Sequence, residues 1–108
     1  MVGADEIVVL ITAPDDTVAQ RIAASLVENR LAACVSLTGP VRSLYSWQGQ
    51  IQEDEEVLLI VKTRAVLFED QLVPMVKGLH PYQVPEIIAL PIQLGSAEYM
   101  SWIAEVTR

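Results

Sequence analysis

The chain is poor in the residue types on which most protein chemistry depends. Its 108 residues include one cysteine, one histidine and one phenylalanine. Cys34 has no partner for an intrachain disulfide, and no CxxC, HxH or HxxxH spacing is present to start a tetrahedral metal site within one chain. Basic residues are scarce: seven Lys and Arg stand against fourteen Asp and Glu, a net charge of −7. That balance repels phosphate backbones, and no basic patch offsets it, so nucleic acid is excluded as a partner. Uncharged stretches such as residues 31–41 fall well short of the ~20 apolar residues that a membrane helix needs. No GxGxxG, Walker loop or nucleophile elbow occurs, which removes the common motif-bearing enzyme classes. The start, Met1-Val2-Gly3-Ala4-Asp5-Glu6, carries two acids where a signal peptide carries positive charge, so the expected compartment is the cytoplasm.

What the chain does have is apolar content. Hydrophobic residues make up 52% and charged ones only 19%, which excludes disorder, and the length fits one domain over residues 1–108. Ile7–Ala13 is β-branched and reads as a first strand. Pro14 ends it, and Asp15 or Asp16 caps a helix with Val18, Ala19, Ile22, Ala23, Leu26 and Val27 on one face. Ala32–Thr38 is a second strand; Gly39-Pro40 bends it, and Val41–Trp47 continues it. Gln48-Gly49-Gln50 is a hairpin turn, with Ile51 opening the returning arm. Glu53–Glu56 reads as a hydrated acidic segment without calcium-loop spacing, and Val57–Thr63 is the clearest strand. A second helix is expected over 66–79, with Leu67, Phe68, Leu72, Met75, Val76 and Leu79 inward and a kink or split at Pro74. His80-Pro81 ends it. Glu86–Ile92 is a fourth strand whose Pro91 requires an edge or a bulge. Ala97–Val106 closes the chain as a helix with Tyr99, Trp102, Ile103 and Val106 as contacts. The order β-α-β-β-α-β plus a terminal helix is the split βαβ pattern of an α+β, ferredoxin-like sandwich.

The strands do not alternate as a half-solvated sheet should. Val57, Leu59 and Val61 oppose Leu58 and Ile60; Ile7, Val9 and Ile11 oppose Val8 and Leu10; Ile87 and Ala89 oppose Ile88 and Leu90. Both faces are apolar, yet the helices suffice for one. A patch of that size marks a protein contact, so a homo-oligomer whose copies cover each other's open face is expected. The long hairpin of residues 41–63 is suited to pair with a neighbour's edge strand.

The segments Thr12-Ala13-Pro14-Asp15, Arg30-Leu31-Ala32-Ala33-Cys34-Val35, Ser43-Leu44-Tyr45-Ser46-Trp47-Gln48-Gly49, Lys62-Thr63 and His80-Pro81-Tyr82-Gln83-Val84-Pro85-Glu86-Ile87, with Gly95, Tyr99 and Trp102, occur in one order along nearly the whole chain. In these the chain resembles the CutA divalent-cation tolerance family. The resemblance implies a cytoplasmic ferredoxin-like homotrimer, similar in architecture to PII signalling proteins. It also implies tolerance of copper and other divalent cations, with no firmly attached enzymatic activity. Some members carry further copper-ligand candidates where this chain has Ile11 and Leu79, so only His80 carries over, and the implied metal binding is weak or shared between subunits.

His80 is the one histidine and the candidate metal ligand; its structural alternative is to satisfy carbonyls at a helix end. Cys34, among Ala33, Val35 and Leu37, reads as an inert buried thiol. Lys62, Tyr82 and Glu86 form the second candidate site: a lysine, a phenol and a carboxylate converging at a subunit cleft to hold a small metabolite or anion. The plainer alternative is a Lys62–Glu86 ion pair. Tyr45 and Trp47 alternate on one hairpin face and either line that cleft or pack on a neighbour.

Overall fold

Three Val/Ile/Leu-rich strands and two amphipathic helical segments leave one economical packing, with the helices laid on one face of the sheet. The computed structural model describes residues 5–108, so the part of the acidic start that spans residues 1–4 lies outside the described residues. The elements are β1 (Glu6–Ala13), α1 (Asp16–Glu28), β2 (Cys34–Trp47), β3 (Gln50–Arg64), α2 (Val73–Leu79), β4 (Ile87–Pro91) and α3 (Ala97–Val106). The strands form one antiparallel sheet in the order β2-β3-β1-β4, the topology of a ferredoxin-like fold. Pro91 sits at the end of an edge strand, where its missing N–H breaks no inner ladder.

Local chemistry sets the boundaries. Asp15 is the N-cap of α1, its carboxylate accepting from the Val18 N–H at 2.9 Å. The helix ends in a Schellman arrangement: Arg30 N–H bonds the Val27 carbonyl, and Leu31 N–H bonds that of Leu26, with Arg30 at φ 59°. Gln48 (φ 53°) and Gly49 (φ 77°) form a two-residue turn with both residues left-handed, as a type I′ hairpin requires. Gln50 already pairs with Trp47, so the return arm starts one residue before Ile51 and runs unbroken through the acidic segment to Arg64. The expected helix over 66–79 is split as Pro74 demands: a 3-10 turn at Ala65–Leu67, a π turn at Phe68–Leu72, then α2 with the proline in its first turn.

The core lies between the sheet and the helices. Val9, Ile11, Leu59 and Val61 point from β1 and β3 onto Ile22, Leu26, Leu72 and Val76, all fully buried. The other face carries Val8, Leu10, Leu58 and Ile60, half-buried, and Ile88 and Leu90, each 50% exposed. The expectation that no helix covers this face needs correction. Ile103 of α3 is buried outside the main core cluster, Tyr99 lies against Cys34, and Thr107 accepts from Arg64, which shares a face of β3 with Lys62. Helix α3 therefore crosses one end of the second face, with Tyr99 and Trp102 still partly exposed, and the rest stays open.

A bulge in β2 decides what the hairpin presents. Leu37 pairs with Leu59, but Pro40 pairs with Val57, one residue out of step. The Thr38 hydroxyl accepts the Leu58 N–H at 3.1 Å across the break. Because side chains alternate with period two, this slip moves the odd-numbered residues of β2 from the helix face to the open face. Val35 and Leu37 pack on the core, whereas Tyr45 and Trp47 share a face with Asp54 and Glu56.

Candidate functional site

The loop between α2 and β4 is held against the sheet by His80. Extended geometry before Pro81 turns the imidazole back towards β1. There the ring is 8% exposed, its Nε2–H donates to the Thr12 carbonyl at 2.7 Å, and its Nδ1 accepts the Tyr82 N–H at 3.2 Å. These two bonds define the neutral Nε2–H tautomer. Both ring nitrogens are engaged, so within one protomer His80 offers no lone pair to a metal. The imidazole also stacks obliquely on Tyr82, with centroids 4.7 Å apart.

Thus oriented, Tyr82 reaches the hairpin. Its hydroxyl donates to Glu56 Oε2 at 2.9 Å, and Glu56 is only 6% exposed. Glu56 corrects the expectation of a hydrated acidic run: that segment is a strand, and its last acid is roofed by a tyrosine 26 positions on. Burial first, and then the Glu56 carboxylate, hold the Tyr82 phenol well above its ordinary pKa. The Tyr45 hydroxyl donates to Asp54, and that bond raises its pKa in turn.

Between this hairpin wall and the loop lies a cleft of about 810 Å³. Tyr45, Trp47 and Glu56 line it from the hairpin, and Tyr82, Val84 and Glu86 from the loop. The Glu86 side chain is exposed, and its carboxylate forms no ion pair with another described residue. Arg42 also borders the cleft, but its guanidinium lies on Glu53 at 2.7 Å, the one ion pair among the described residues.

Of the three residues expected to converge, the fold brings Tyr82 and Glu86 into this cleft and leaves Lys62 out. Lys62 faces the same side of the sheet but lies six residues along β3 from Glu56, about 20 Å at strand rise. Its ammonium donates to Ser36 Oγ at 3.1 Å, beside its cross-strand neighbour Cys34, and no Lys62–Glu86 ion pair forms within the protomer. Cys34 is half-buried against Tyr99, whose phenol is raised by burial and by that thiol. Among the described residues, no three of His, Cys, Asp and Glu stand grouped to hold a metal ion. The donor set of one protomer therefore does not fit a resident metal.

Fold and cleft together define an α+β, ferredoxin-like protein with an acceptor-rich pocket where a β-hairpin meets a proline-stiffened loop. Residues 7–106 match the family described as CutA1 divalent ion tolerance protein, and the chain belongs to that family. It is similar to the divalent-cation tolerance protein CutA of Thermus thermophilus, 54% identical over 102 residues that span 94% of this chain and 98% of the relative. It is 45% identical to human protein CutA over 90% of this chain, but spans only 54% of that longer protein. Among solved structures, the divalent cation tolerance protein of Thermus thermophilus superposes with a TM-score of 0.92 at 53% identity, covering 95% of this chain and 99% of that one. CutA1 from Oryza sativa gives 0.91 at 42% identity, covering 98% of each. The family description names tolerance of divalent ions and no catalysed reaction. No described helix is long and apolar enough to cross a membrane.

Proposed function

We propose that this protein is a single-domain, cytoplasmic, non-enzymatic divalent-cation tolerance protein that works as a homotrimer, with copper the leading cation. The observation that carries the reading is the open sheet face: Leu10, Leu58 and Ile60, half-buried, and Ile88 and Leu90, each 50% exposed, share one apolar surface. Burying between copies the half or less of each side chain that is still exposed gives about 1 kcal/mol apiece. With His80 spent on Thr12 and Tyr82 and no ligand cluster among the described residues of one protomer, any metal is held weakly, by groups from more than one copy. Calorimetric titration of copper(II) into the native protein and into Ile60→Asp tests this. A shared site loses its heat when the charged variant dissociates the assembly; an unchanged titration in a dissociated variant contradicts it.

A second reading rests on the cleft. Tyr82 and Glu86 line a volume of about 810 Å³, the size of a small-metabolite site. In this reading the protein is a PII-like sensor, and Lys62 takes part only where a neighbouring copy supplies it at an inter-subunit cleft. Lys62→Ala then abolishes metabolite binding while leaving the copper titration intact; retained metabolite binding removes Lys62 from the site.

A further inference from the structure

The cleft's chemistry narrows what it accepts. Two phenols line it, and each has one hydroxyl hydrogen to give. Tyr82 gives its hydrogen to Glu56 and Tyr45 gives its own to Asp54, so neither phenol retains a proton to offer an anion. The one cation at the rim, Arg42, has Nε at 3.1 Å and Nη2 at 2.7 Å from the same Glu53 oxygen. Lys62 of the same protomer, which would have made the pocket attractive to anions, lies elsewhere on the face. Besides Arg42, the charged and aromatic groups on the cavity are the buried carboxylate of Glu56, the exposed carboxylate of Glu86, and the rings of Tyr45, Tyr82 and Trp47; Ser43 and Gln83 add uncharged polar groups. Aromatic faces beside carboxylates attract a positive, partly desolvated group. The same acids repel a carboxylate or phosphate.

We infer that this cleft binds small organic cations, that is, ligands presenting an ammonium group, which sits among Trp47, Tyr45 and Tyr82 with its charge against Glu86 and Glu56. The inference rests on the cleft being a ligand site and reverses the ligand charge expected from the sequence. Hydration sets the choice between an ammonium and an inorganic ion. A bare divalent ion needs several converging oxygens, and the cleft offers two carboxylates, one of them already bonded to a phenol. An alkylammonium is weakly hydrated by comparison and gains from the rings.

The test is calorimetry on the native protein at constant ionic strength with four probes: tetramethylammonium, 1,4-diaminobutane, succinate and magnesium ion. The inference expects heat from both ammonium compounds, weakened by added salt, and none from succinate or magnesium. Glu86→Gln, at an exposed site that leaves the fold intact, weakens tetramethylammonium binding about fivefold or more, and Trp47→Leu does so to a similar degree. Binding of succinate without the ammonium probes overturns the inference while sparing the cleft as a ligand site. Binding of magnesium alone overturns it in favour of a metal site, and silence from all four probes overturns both the inference and the cleft reading. Ammonium binding unchanged in both variants also overturns it, since the ligand then lies elsewhere.

Discussion

Replacing His80 with alanine separates the two roles that a lone histidine can play here. In the fold, the ring ties the loop to β1 through the Thr12 carbonyl at 2.7 Å and the Tyr82 N–H at 3.2 Å, and it packs on the Tyr82 ring at 4.7 Å. Removing it strands the Thr12 carbonyl, a loss of about 1–3 kcal/mol when water cannot replace the partner. The ring contact adds about 0.5–1.5 kcal/mol. The sum is about 1.5–4.5 kcal/mol, which in a domain of this size lowers Tm by about 6–35 °C. His80→Gln, with both a donor and an acceptor, should recover part of that loss. Thermal and urea unfolding of the three proteins at one matched concentration, followed by circular dichroism, measures the effect. A shift below about 0.5 kcal/mol in His80→Ala, accompanied by loss of the copper heat, would make His80 a metal ligand and not a structural tie.

The other consequences are quickly checked. Asp15→Ala removes the N-cap bond to Val18 and should cost about 1 kcal/mol in urea unfolding, with Asp15→Asn near neutral. Gly49→Val places a β-branched residue at φ 77° and should destabilise the hairpin by more than about 1 kcal/mol, read as faster amide exchange in residues 44–53. The raised Tyr82 pKa has a definite sign. Above the ordinary phenol value of 10.0 the unfolded chain loses a proton that the folded one keeps, so stability falls as pH rises past that point. Tyr82→Phe should flatten that part of the alkaline stability profile, and a profile identical to wild type would show that the Glu56 contact is not maintained in solution.

Elements marked by local chemistry were legible in the sequence: the capped α1, the Gln48-Gly49 turn, the Pro74 break and the edge position of Pro91. So was the doubly apolar sheet, because alternation is a property of each strand by itself. Relations between distant segments were not. Glu56 sits in a run of four acids that reads as hydrated, and only the arrival of Tyr82 buries it. The side of the sheet taken by Tyr45 and Trp47 depends on the slip between Leu37 and Pro40. Gly39-Pro40 signals a bend there without giving its register. Lys62 and Glu86 stand in segments that match the family equally well, yet strand register puts them at opposite ends of one face. The position of α3 is set by Ile103 and Thr107 packing outside the main core, a choice that its own periodicity does not encode.

A homotrimer requires the open sheet face to be an interface between copies. Sedimentation equilibrium of the native protein at low micromolar concentration addresses it directly, since the 11.9 kDa subunit mass fixes the scale. A homotrimer sediments as a single species of three times that mass, which dissociates when Ile60 is replaced by aspartate. A wild-type protein sedimenting as an 11.9 kDa monomer under those conditions would contradict it.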